Sequence, residues 1–159
     1  MIDVIVARAL HVFAVVVWIG GMWMVTTVIL PAVRRHDLGD DAVRAFEAVE
    51  RRFVWQARAA VALVGLTGFY LIARLDLWEA LRSGHYWWLC AMLGLWVLFV
   101  AILFVAEPLV LKSRFDSWAI RSPDRALVWL RRAHWLLLVL ALITIFGAIT
   151  GSQWWPTWG

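Results

Sequence analysis

Ala9 to Val33 reads ALHVFAVVVWIGGMWMVTTVILPAV, a stretch without a single Asp, Glu, Lys or Arg. At about 1.5 Å of rise per residue, a helix of this length covers the ~30 Å hydrocarbon core of a bilayer. The run far exceeds an ordinary signal-peptide core, and the preceding Met1-Ile2-Asp3 lacks a basic leader. The expectation is therefore a retained membrane-spanning helix.

Working outward, the same reading applies three more times. Phe53 to Ala73 is uncharged apart from Arg58, which lies just inside its first end. Tyr86 to Ala106 is free of charge and is closed by Glu107-Pro108. His134 to about Gly151 is the fourth span, approached through Ser122-Pro123-Asp124, an N-cap followed by proline at the first helical position. With 64% hydrophobic residues and a mean hydropathy of +0.81, the chain is too apolar for a soluble domain of 159 residues. The fold class expected is all-α, a four-helix membrane bundle forming one domain over 1–159 (spans about 9–33, 53–73, 86–106 and 134–151). Between the first two spans, Val43, Phe46, Val49 and Phe53 recur at helical spacing among charges. That pattern predicts a short amphipathic helix on the cytoplasmic surface.

The net charge of +4 does not point to nucleic acid, because the basic residues sit in short segments between apolar runs. Arg34, Arg35, Arg44, Arg51, Arg52, Lys112, Arg114, Arg121, Arg125, Arg131 and Arg132 fall on one side, against Arg8, Arg74 and Arg82 on the other. The positive-inside rule makes the first side cytoplasmic and both termini extracytoplasmic. Tryptophans mark two belts: Trp78, Trp87, Trp88, Trp154, Trp155 and Trp158 outside, Trp55, Trp118, Trp129 and Trp135 inside. Gly20-Gly21, Gly65 with Gly68, and Gly147 with Gly151 offer small surfaces for close helix approach. The single cysteine, Cys90, excludes an intrachain disulfide and reads as a small core residue.

Ionisable groups within the spans are costly and ask for partners. His11 and His85 lie near the outer end; Arg58, Glu107 and His134 lie near the inner one. His11 shares a helix face with Trp18 at i+7, and Gly20-Gly21 follow, leaving room for something bulky. Such a histidine can bridge helices, relay protons, or ligate haem iron or copper. Arg58 can snorkel, pair with Glu107 at similar depth, or serve an anion such as a propionate. Met22, Met24, Cys90 and Met92 are soft donors for Cu(I), but Met22 and Met24, two residues apart, face different ways. Phosphate loops, nucleophile elbows and paired acidic metal motifs are absent from the sequence.

Leu10-His11, the run to Trp18, and Gly20-Gly21 resemble the first helix of HemJ-type protoporphyrinogen oxidases and of the related CopD-domain membrane proteins. The likeness continues at Glu50-Arg51-Arg52-Phe53, at Gly65-Leu66-Thr67-Gly68 and at Ser83-Gly84. The resemblance implies a bundle binding haem b, with His11 as an axial ligand and Arg52 matching a family arginine. At the family's third-helix His and Lys positions this chain has Trp87 and Leu89, and His85 is the candidate second ligand, with His134 ranked below it. The function implied is electron transfer, or a small oxidase reaction, in a bacterial-type cytoplasmic membrane. Its partners would be quinone or a redox partner protein, and a homo-oligomer is compatible. The alternatives are CopD-like copper handling and a non-catalytic accessory subunit.

Overall fold

The computed structural model describes residues 1–35, 37, 42–84, 86–115 and 123–153. Helix α1 (Ile2–Met24) runs through a π-helical stretch, Val25–Ile29, into α2 (Leu30–Arg34). α3 is Ala42–Arg74, α4 is Trp78–Ser83, and α5 (Trp87–Val100) continues as a second π-helical segment, Ala101–Phe115. α6 is Pro123–Gln153 and starts at the proline expected at its first position. Four of these helical stretches are long and apolar enough to cross a membrane: Ile2–Arg34, Ala48–Arg74, Trp87–Pro108 and Val128–Gly151. Each contains or closely overlaps an expected span.

The π-helical stretches have a local cause. Each lies at a proline, Pro31 just after the first and Pro108 within the second. Proline lacks an N–H and its ring clashes with the preceding turn, so the hydrogen-bond ladder must loosen. The Thr26 and Thr27 hydroxyls donate to the Met22 and Trp23 carbonyls at 2.7 and 2.8 Å, occupying backbone acceptors in this disturbed region.

The segment before the second span is helical, as its periodicity suggests. It is not a separate surface helix, because α3 runs unbroken from Ala42 to Arg74. No Gly or Pro lies between Ala42 and Val64, so nothing in the chain stops the helix there. A turn that sequence reading passed over is α4, which ends on Gly84 at φ +64°, a left-handed cap that suits glycine.

The core is narrow. Trp18 and Met22 of α1, Val61 and Val64 of α3, and Leu138 and Ala141 of α6 are buried together with Phe99. Large apolar side chains cover the outside, with Phe13 64%, Leu66 72% and Phe146 71% exposed. A water-soluble surface does not look like this; a lipid-facing one does.

Four of the glycines are sockets for aromatic rings rather than points of backbone contact. A Cβ on Gly65 would run into the Trp96 indole, on Gly147 into Trp87, on Gly151 into Trp88, and on Gly21 into Phe53. Trp96 is fixed in its socket by donation from Nε1 to the Val61 carbonyl at 2.9 Å. α3 and α5, and α5 and α6, are thus keyed together by indoles.

Candidate functional site

His11 projects from α1 toward α3. Its Nδ1 lies 3.1 Å from the Val64 carbonyl oxygen and 3.0 Å from Thr67 Oγ1. A carbonyl oxygen only accepts, so Nδ1 must carry the proton. The Thr67 hydroxyl donates to the Leu63 carbonyl at 2.6 Å, leaving its oxygen free to accept from His11. This arrangement puts the unshared pair of the neutral ring on Nε2. Gly68 gives the ring room: a Cβ there would stand 3.3 Å from His11 Cε1 and ask the ring to shift by a few tenths of an ångström. Among the described residues no buried side-chain nitrogen or oxygen lacks a partner. Nε2 has no hydrogen-bond partner among the described residues.

The other residues singled out from the sequence fall in different places. Trp18 lies in the core, edge-on to Phe99 with ring centroids 4.5 Å apart. Gly20 faces open space outside the bundle, and the room beside Gly21 is filled by Phe53. Arg52 is exposed at the arginine-rich end. His85 lies outside the described residues.

His134 is half-buried and donates from Nδ1 to the Leu130 carbonyl of its own helix at 2.9 Å. It makes no ion pair with Glu107. Arg58 and Glu107 do pair, as their shared depth in the sequence suggests. The same guanidinium donates from Nε to the Leu103 carbonyl and lies 5.5 Å from the Trp55 ring centroid and 5.9 Å from that of Phe104. Arg58 is thus committed to protein groups on two of its nitrogens.

Met22 is buried in the core whereas Met24 is 55% exposed, so these two sulfurs do not converge. Cys90 directs its thiol at the Leu81 carbonyl. Among the described residues no three His, Cys, Asp or Glu side chains form a metal-holding cluster.

One polar group escaped the sequence reading. Asp3 accepts from the Tyr70 hydroxyl at 2.8 Å and from Arg74 at 3.0 and 2.9 Å. It ties the start of α1 to the end of α3, which makes these two helices antiparallel. The signal available was an acidic residue facing an Arg and a Tyr at opposite ends of consecutive spans.

No protein-family model, no curated protein and no solved structure matches the chain. What fold and site define is a class: a multi-pass helical membrane protein with a histidine held by a neighbouring helix and, among the described residues, without a partner at its second nitrogen.

Proposed function

We propose that this is a membrane-embedded b-type haem protein working in electron transfer or a small oxidase reaction, with His11 as an axial ligand. The observation that carries the reading is that His11 Nδ1 lies within hydrogen-bond distance of both Val64 O and Thr67 Oγ1, while Nε2 has no partner among the described residues. Histidines that ligate metals commonly donate their other N–H to a carbonyl or a polar side chain, which orients the ring and raises its basicity. The donor chemistry fits an axial ligand. The glycine pair adds no cradle, since Phe53 occupies one side and Gly20 faces outward. A bound haem would supply a one-electron couple, its potential set by axial ligation and burial. Val64 and Thr67 would hold the imidazole, and the apolar surface around α1 and α3 would exclude water. His85 is the proposed second ligand, and a quinone or a redox protein the proposed electron partner. The arginine-rich end would face the cytoplasm of a bacterial-type membrane.

A reduced-minus-oxidised visible spectrum of the purified protein tests the proposal. Sharp haem b bands, lost in His11→Ala, are expected. A colourless protein carrying copper would transfer the reading to CopD-like copper handling. A colourless protein without metal would make His11 a helix-bridging residue in an accessory subunit.

A further inference from the structure

The apolar contact at one end of the bundle brings three arginine-bearing helix segments to the same level. Leu30 and Val33 of α2 pack with Phe53 of α3 and Leu130 of α6. Arg34 directly follows Val33, Arg51 and Arg52 directly precede Phe53, and Arg131 and Arg132 directly follow Leu130. All five are exposed. None has a carboxylate partner among the described residues, whereas the neighbouring Arg35 pairs with Asp37 at 3.1 Å. Five guanidinium groups without a carboxylate partner among the described residues therefore come from three helices into one collar. Trp55, 68% exposed, and Trp129, 51% exposed, lie within a turn of the collar and mark the depth of a headgroup layer.

We infer that this collar is a binding site for anionic phospholipid headgroups of the adjoining leaflet. Guanidinium groups bind phosphate oxygens in pairs of parallel hydrogen bonds, and their attraction to an anionic surface adds per residue. A lipid phosphate can satisfy donors that no carboxylate of the described chain reaches, with its acyl chains lying along the exposed apolar flanks of α3 and α6. A zwitterionic headgroup carries its own cation and would gain much less. The inference does not depend on what His11 binds.

Thermal unfolding of the full-length protein in neutral detergent is the test, with phosphatidylglycerol, phosphatidylcholine or inorganic phosphate added. Phosphatidylglycerol should raise the Tm by about 3 °C or more over phosphatidylcholine. The variant R51Q/R52Q/R131Q/R132Q should lose that difference. The matching lysine variant should keep most of it, and R8Q/R82Q at the other end should keep all of it. If the glutamine variant does not fold, the comparison of the lysine variant and R8Q/R82Q with the unmodified protein still decides. Equal shifts with both lipids, loss of the difference in R8Q/R82Q, or the same shift with inorganic phosphate alone would overturn the site.

Discussion

Arg58 holds Glu107 and, from the same guanidinium, donates its Nε–H to the carbonyl of Leu103 at 2.9 Å. The second contact has a backbone reason. In a π-helical segment the N–H of residue i+5 closes on the carbonyl of residue i, and the residue five beyond Leu103 is Pro108. Proline has no N–H to give, so Arg58 supplies the missing donor.

This makes the arginine worth more than its ion pair. Arg58→Met should destabilise the protein by up to about 3 kcal/mol, since it strands both Glu107 and the Leu103 carbonyl. Glu107→Gln in the Arg58→Met background should recover part of the loss, because a lone charge is removed. Pro108→Ala in that background should recover about 1 kcal/mol by restoring a backbone donor. Unfolding in detergent across the double-mutant cycles measures both couplings, and strictly additive effects would show the groups to be independent.

The Arg58–Glu107 pair was legible in the sequence because depth in a membrane is nearly a linear function of residue number. So were the four spans, whose apolar runs leave no other environment to occupy. The uses of the glycines were not. Gly65 and Gly147 look like seams for close helix approach, but which side chain fills a seam depends on helix rotation, and Trp96 and Trp87 filled them. Asp3 was passed over for a related reason. Its distance in sequence from Tyr70 and Arg74 hides a contact that only the antiparallel return of α3 creates.

The sockets should not be equally intolerant. Trp96 cannot swing away from Gly65 without giving up its bond to the Val61 carbonyl. Gly65→Ala should therefore cost about 1–3 kcal/mol despite the better helix propensity of alanine. At Gly147 the obstructing atoms are the far edge of Trp87, a half-exposed ring with no anchoring bond of that kind among the described residues. Gly147→Ala should cost less than 1 kcal/mol. Thermal denaturation of the two variants side by side decides, and the reverse ranking would show that the Trp96 hydrogen bond does not fix the socket.

Orientation follows from charge. If both termini are extracytoplasmic, as the positive-inside rule expects, cysteines at Asp40 and Ser117 should be shielded from a membrane-impermeant thiol reagent on intact cells, in a Cys90→Ala background. Cysteines at Ala80 and Thr157 should react. The basic segments between the first and second and between the third and fourth spans hold most of the chain's Lys and Arg, which by the positive-inside rule would retain them in the cytoplasm. Labelling at Asp40 and Ser117 alone would invert the protein in the membrane and place the arginine collar in the outer leaflet.

Thr67 is the residue that separates a ligating His11 from one that merely bridges helices. Its side chain is buried, and it helps hold the His11 Nδ1–H while bonding back to the Leu63 carbonyl. Thr67→Val keeps the shape, and the loss of a hydroxyl back-bonded within its own helix costs the fold little. Val64 O remains as an acceptor, so the tautomer should survive with a weaker hydrogen bond. A less basic imidazole stabilises ferric iron less. In a haem-loaded protein Thr67→Val should therefore move the midpoint potential upward and weaken haem retention about tenfold, with little change in unfolding temperature of the apoprotein. Thr67→Ser, which restores the acceptor, should return both properties toward the starting protein. A bridging histidine gives the opposite pattern: Thr67→Val would lower apoprotein stability as much as His11→Ala does, and any haem present would keep its potential.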